Sequence, residues 1–433
     1  MSKKITREEI KQMEKYANRP ATVVKDNGYD GYVEMRERGN VGETDMPVNR
    51  YYLRTAYKIK LARWLAVLLL AAIIGAGLIF NSRELTAGNL NYLLRYINRQ
   101  GAGGTVSSGF HAEIDESSSL CYYRNGIAIL RKNRIDIYDI NGRRNFTSRL
   151  IYSAPVMKAS DRYIITYDLG MNKMEIFNNY SRVYEYKGDG PVYGAQVTGR
   201  GNVVYITSEP GYESVVYVMD NGFNDIFKCK FGEDFVVSAD IDDRAERLAV
   251  AGFTARDGDY LSRISMYETK TEEPLNQIEI IGEQPYGVKL TETGVFAIFE
   301  NSFRIYDCGG SGILNYDFAF RKIRAMSLTP KLAAVVLDEK TLGTDCRMLI
   351  FDEAGNILYD NIIGAEIRDI QFSEDYKILY FLTRTGLYKI NIDHATFEFV
   401  TNEYDETTNN IIYANDKNIF LSGLVKINIA EVN

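Results

Sequence analysis

Histidine occurs twice and tryptophan once in the 433-residue chain. With only His111 and His394 available, imidazole chemistry has almost no candidates. Neither sits in an HExxH motif, and no GxSxG elbow occurs, so zinc hydrolase and serine hydrolase readings fail at the motif level. Both histidines read as solvated or structural. Cysteine is equally sparse. Cys121, Cys229, Cys308 and Cys346 are far apart and form no CxxC pair, which removes the clustered thiolates that a zinc site needs. They read as isolated small core residues. Asp240, Asp242 and Asp243 resemble a calcium loop locally, but the Gly and terminal Glu of an EF-hand are missing, and surface acids after a strand explain them better. The run CGGSG at 308–312 lacks the Lys that follows in a phosphate loop and reads as a hairpin turn. No metal and no cofactor is expected.

Basic surface is missing from most of the chain. The first 60 residues carry 13 Lys/Arg against 9 Asp/Glu, whereas the residues after Phe80 carry 37 against 49, and the whole chain has a net charge of −7. An acidic body cannot neutralise a phosphate backbone, so nucleic acid is excluded as a general ligand. Aromatics, by contrast, are abundant: 32 Tyr and 20 Phe favour half-buried pleated surfaces and point to extensive strand.

One long hydrophobic run interrupts this polar pattern. From Trp64 to Phe80 the sequence WLAVLLLAAIIGAGLIF holds no charge. At about 1.5 Å per residue its 17 residues extend roughly 26 Å, close to the hydrocarbon thickness of a bilayer. About 60 polar residues precede it, which does not suit a cleaved signal peptide. Arg50, Arg54, Lys58, Lys60 and Arg63 crowd its N-terminal side, and the positive-inside bias then places the N-terminus in the cytoplasm. The small residues Ala71, Gly75, Ala72 and Ala76 give weak small-xxx-small pairs for helix association. Four segments follow: a cytoplasmic tail over 1–60, a transmembrane helix over 61–82, a short helix and Gly-rich neck over 83–108, and an extracytoplasmic domain over 109–433.

The tail opens with a capping-box spacing at Thr6 and Glu9, and Ile10, Met13 and Tyr16 then make a short amphipathic face. That face is a candidate docking helix for a cytoplasmic protein. Residues 21–49 read as flexible linker. Beyond the membrane run, Leu90, Leu93, Leu94 and Ile97 suit a second short helix before GAGGTVSSG.

Internal repetition dominates the remainder. The runs RIDIYD, KMEIFN, VVYVMD, RISMYE, FRIYDC and MLIFDE recur, followed by GLYKINI and GLVKINI. Anchors at Tyr138, Phe177, Tyr217, Tyr267, Tyr306, Phe351, Ile392 and Ile429 are spaced by 39, 40, 50, 39, 45, 41 and 37 residues. A period near 40 with four short strands per unit is the pattern of β-propeller blades. In one unit PVMKAS, RYIITYD, KMEIFN and RVYEYK supply the four strands. Eight anchors predict an all-β propeller of eight blades, with seven as the alternative. The last repeat reaches Asn433 after three strands, and GFHAEI after the neck is placed to supply its fourth, closing the ring.

Enzymatic propellers leave marks that this sequence lacks. Quinoprotein dehydrogenases repeat Trp motifs between blades, sialidases carry SxDxGxxW boxes, and WD40 blades carry the WD dipeptide; none occurs here. The order of tail, membrane helix, glycine neck and Tyr-rich repeats such as RIDIYDING and FRIYDCGG resembles a family of single-pass membrane proteins from Firmicutes that is known as a domain of unknown function. That resemblance covers residues 55–433. It implies the envelope of an anaerobic Gram-positive bacterium and carries no catalytic residues.

Functional candidates therefore come from loops. SEPGYES (208–214), TARDGDYLS (254–262) and DEKTLGTD (338–345) extend the connection between second and third strands, and GDGPVYG and IGEQPYG lead into inner strands on the same face. Together they present Tyr193, Tyr212, Tyr260 and Tyr286 beside acidic residues, a composition suited to a protein or glycan partner. The expected function is a membrane-anchored, non-catalytic interaction scaffold of the cell envelope, binding a protein or cell-wall partner. The alternative is an envelope hydrolase or lyase with a pair of carboxylates in the propeller channel.

Overall fold

The computed structural model describes residues 32–33, 48–80, 109–111, 114–115, 118–256, 258–339, 344–415, 418–424 and 426–431. The chain divides into two units, residues 1–86 and 87–433. Ile10, Met13 and Tyr16, and the short helix and neck expected over 83–108, lie outside the described residues.

The first unit contains one helix, Arg50–Phe80, of 31 residues. Alanine and leucine dominate its centre and no proline interrupts it, so propensity alone favours a continuous helix. Every described side chain from Tyr57 to Ala72 is exposed, including Trp64, Leu65, Val67, Leu68, Leu69 and Leu70. No helix among the described residues is long and apolar enough to cross a membrane. The charge-free run of the sequence continues within this helix to Phe80.

The second unit is an eight-bladed β-propeller of four-stranded antiparallel sheets. Blades 1 to 7 span residues 119–149, 155–185, 194–231, 235–281, 285–317, 323–363 and 367–401. Within each, the strands follow chain order across the sheet. Blade 8 takes its first three strands from 410–431, and its fourth is Gly109–His111, antiparallel to the last strand with Phe110 opposite Ile427. The number eight and the closing strand both agree with the repeat spacing.

Eight hydrophobic clusters hold the ring together, one at each boundary between neighbouring blades. Ile127 and Ile129 of blade 1, for example, pack against Phe420, Ile427 and Ile429 of blade 8. Second strands lie between two neighbours, so Gly294–Phe299 is buried along its whole length. Outer strands have water on one side and alternate, as in Asp225–Phe231, where Phe227, Cys229 and Phe231 are buried and the residues between them are exposed. The aromatic anchors fall on or directly after third strands, and Phe177 and Phe351 are fully buried there.

An Asp or Asn close after most of the anchors also has a physical role. Asp139 Oδ1 accepts from the backbone N–H groups of Asn141 and Arg143, each at 2.9 Å. Asp220, Asp307 and Asp352 repeat the arrangement with their own third-to-outer hairpins. These are Asx turns, in which a carboxylate satisfies turn donors that the sheet leaves unpaired. Gly310, in CGGSG, takes φ +83° in one of them, as the hairpin reading of that run requires.

Three local expectations change. The long connections of blades 3 and 4 are not open loops: their residues zip into extended hairpins, with Glu209 opposite Tyr212 and Arg256 opposite Asp259. Asp240 is not a surface acid, because it lies within the inner strand Phe235–Ile241 and is only 2% exposed. Cys308 is not a core residue; it is exposed in a turn, with its sulfur 3.5 Å from Arg247 Nη1. All four cysteines are free thiols.

Candidate functional site

In an antiparallel four-stranded blade, the second-to-third connection and the link to the next blade emerge on one face. The first-to-second and third-to-fourth turns emerge on the other. The four candidate tyrosines accordingly belong to the first face, and the structure relates three of them.

Tyr193 and Tyr212 line a hollow of about 420 Å³ together with Asp189, Glu209 and Glu213. Tyr212 is 39% exposed, and Lys230 Nζ sits 4.4 Å from its ring centroid, a cation–π contact. The same ammonium pairs with Glu209 Oε2 at 2.9 Å, and Tyr217 Oη donates to Glu209 Oε1. The Tyr217 hydrogen bond first, and Lys230 second, hold the Glu209 carboxyl below its ordinary range. Burial, reinforced by that carboxylate, pushes the Tyr217 phenol up.

Tyr193 also begins a row of rings. It meets Phe235 edge-on at 5.4 Å, Phe235 meets Phe253 at 6.1 Å, and Phe253 meets Tyr260 at 5.6 Å. Tyr260 is 43% exposed at the far end. Alternating side chains at the ends of neighbouring strands place these rings on one side of the sheet edge. Tyr286 is 49% exposed at the start of the inner strand of blade 5 and contributes no ring contact to the row.

The largest described cavity lies on the opposite face. It encloses about 650 Å³ at the centre of the ring, between the inner strands and inner turns of blades 2 to 7. Lys158, Gln196, Asp240, Lys289 and Gln371 project from five inner strands, and the turns bring Asp161, Asp243, Glu292 and Tyr376 to the mouth. Asp240 accepts from Lys289 Nζ at 2.9 Å, from the Leu290 N–H at 2.8 Å and from Gln196 Nε2. Burial lowers the Lys158 pKa, an effect that Asp240 opposes and Lys289 adds to.

Apart from Asp240, read from the sequence as a surface acid, these channel residues were missed at the sequence level, although a signal exists. They occupy one column of the repeat, two residues before the Ser, Thr or Asp of the inner turn: VMKAS, AQVT, SADID, VKLT and IQFS. Register confirms the equivalence, since Lys158, Gln196, Asp240, Lys289 and Gln371 pair with corresponding positions of their second strands, Ile165, Val204, Ala249, Phe296 and Tyr380. Polar residues at a position otherwise set in β-branched and aromatic strands mark a lumen.

Among the described residues no group of three or more His, Cys, Asp or Glu is arranged to hold a metal. His394 lies in an exposed turn, its backbone N–H donating to Asn391 Oδ1. The side chain of His111 lies outside the described residues.

The model of a family of unknown function, DUF5711, matches residues 98–426, which is all eight blades but for most of the third strand of the last. The chain belongs to this family. No curated protein matches it. Among solved structures, the C-terminal WD40 domain of Sif2 is similar over 76% of this chain and 100% of its own, with 10% identity and a TM-score of 0.52. BamB from Moraxella catarrhalis is similar over 75% of this chain and 100% of its own, with 11% identity and a TM-score of 0.47. At such identities the likeness concerns the fold, and the DUF5711 family brings no activity with it.

Proposed function

We propose that this protein is a membrane-tethered propeller that acts as an interaction scaffold in the cell envelope, engaging a protein or wall-glycan partner through its tyrosine-bearing face. The observation that carries the reading is the row Tyr193–Phe235–Phe253–Tyr260, which runs beside the Tyr212 hollow. Rings already held by neighbouring rings lose little side-chain freedom on binding, which is why rigid aromatics make effective contact anchors. Lys230 and Glu209 give the same surface a charged margin.

The tether rests on the helix Arg50–Phe80. Its exposed side chains between Tyr57 and Ala72 become almost wholly apolar after Arg63, and a helix apolar on all sides needs a lipid or protein environment. At about 1.5 Å per residue the charge-free part has the reach of a bilayer core. The positive-inside bias puts the propeller outside.

The hydrolase alternative needs two facing acids. In the channel the buried acid, Asp240, has its oxygens occupied by Lys289, Leu290 and Gln196, which supports binding over acid–base chemistry. To test the leading reading, full-length protein with Tyr212→Ala and Tyr260→Ala is compared with wild type in pull-downs from crosslinked cells. Recovery of the partner should fall several-fold while membrane-fraction abundance stays constant. Equal recovery would overturn the surface assignment, and a chain released from membranes by alkaline carbonate would overturn the tether.

A further inference from the structure

The aromatic face leaves the central cavity unexplained, and the cavity has a definite charge order. Its inner-strand layer carries two ammonium groups, Lys158 and Lys289, against one acid, Asp240, and its turn layer carries Asp161, Asp242, Asp243 and Glu292 against one cation, Arg247. We propose that this channel binds a zwitterionic ligand, a short peptide that enters with its free C-terminal carboxylate toward Lys158 and leaves its ammonium at the acidic mouth.

Lys158 is the centre of the argument. Lys289 is committed to Asp240 at 2.9 Å, and the other contacts of Asp240 come from Gln196 and the Leu290 N–H. Lys158 faces the lumen from blade 2 and has neither an ion pair nor a hydrogen bond to the described residues. Gln371 projects from blade 7 with its amide likewise uncommitted. The Lys158 ammonium can donate a charge-assisted hydrogen bond to a carboxylate. Lys158 is open to the cavity, so an incoming carboxylate reaches its ammonium without displacing a protein partner.

The mouth decides which anions fit. Asp161, Asp243 and Glu292 are exposed. Arg247 is directed to the backbone oxygens of Thr291 and Glu292, Lys331 Nζ lies 4.0 Å from the Glu292 carboxylate, and Asp243 accepts from the Gly199 N–H. A polyanion would meet repulsion at this ring of acids, whereas a ligand with a cationic group beside its carboxylate meets attraction at both depths. A tripeptide spans about 10 Å when extended, and about 650 Å³ accommodates it with water.

Trialanine is a suitable probe, titrated calorimetrically into the full-length protein in detergent alongside trialanine amide and N-acetyl-trialanine. Trialanine should bind. The amide should bind at least about tenfold more weakly, the loss expected from one charge-assisted hydrogen bond. Lys158→Met should reproduce that loss for trialanine, and Lys158→Arg should keep part of the affinity. Asp161→Asn with Asp243→Asn should weaken trialanine but not N-acetyl-trialanine. A melting temperature matching wild type checks that each variant is folded. Equal binding of acid and amide, no effect of Lys158→Met, or no binding of trialanine to wild type would each overturn the proposal. Because the partner-facing tyrosines lie on the other face, their pull-down result stands or falls separately.

Discussion

At the scale of single residues, the molecule invests charge in two kinds of place. Asp136 is fully buried on the third strand of blade 1, with Arg131 Nη1 at 2.6 Å and Arg134 Nε at 2.9 Å. Removing the acid leaves buried guanidinium charge without compensation, so Asp136→Ala should lower unfolding stability by about 3–5 kcal/mol in denaturant titrations. A loss below about 1 kcal/mol would mean that the arginines reach water instead. Glu209 is the second kind, a surface acid tuned by neighbours. Its pKa is depressed in the folded state, so its stabilising contribution is present above the ordinary carboxylate range and disappears as pH falls through the depressed value. Tyr217→Phe removes the largest cause of the depression. The Glu209 titration, followed by carboxyl-carbon NMR, should then move up toward the ordinary value, and the acid loss due to Glu209 should become smaller and be complete at a higher pH. An unmoved titration would show that Lys230 alone sets it.

At the scale of elements, the closing strand is the critical joint. Gly109–His111 pairs with Lys426, Ile427 and Asn428, and without it the third strand of blade 8 becomes a bare edge. Deleting residues 109–116 from the full chain should lower the thermal midpoint, by roughly 2–4 °C for each kcal/mol lost. It should also promote association through the freed edge, visible as larger species by light scattering. An unchanged midpoint with no self-association would show that three strands suffice for blade 8. Much of this level was legible in the sequence, because blade strands are short, regularly spaced and separated by Asx turns. The Asp and Asn beside Tyr138, Phe177 and Tyr306 were legible as a motif in the sequence. Two features were harder to read. Extended hairpins such as Thr254–Leu261 look like loops when Gly and Asp concentrate in them, because pairing across a tight turn leaves no compositional mark. The channel column was hidden for a different reason: Lys158, Gln196, Asp240, Lys289 and Gln371 differ in chemistry, and only register shows that they share a place.

At the scale of the whole molecule, the two faces of the wheel divide the surface by chemistry. Aromatic rings gather where second strands turn into third strands, and alternating charge gathers where inner strands turn outward. The proposed scaffold would take a macromolecule on one side and a small ligand on the other, and a ring without disulfides needs no oxidising step to hold it. The four thiols are all unpaired, so reductant should leave the melting temperature unchanged, whereas a drop would reveal a disulfide.

Ring closure has one more consequence, and it concerns synthesis. Phe110 finds its partner in Ile427, more than 300 residues later in the chain. The segment made first in the wheel therefore waits, unpaired, until almost the last residues are available. Every other blade can zip from neighbouring hairpins as it emerges, since its four strands are consecutive. A chain that stops before Lys426 leaves both ends of the wheel open, with a stray strand at one and a missing strand at the other. The latch thus works as a late checkpoint: only a chain synthesised through Asn428 can lock, and copies terminated before it remain exposed to proteases.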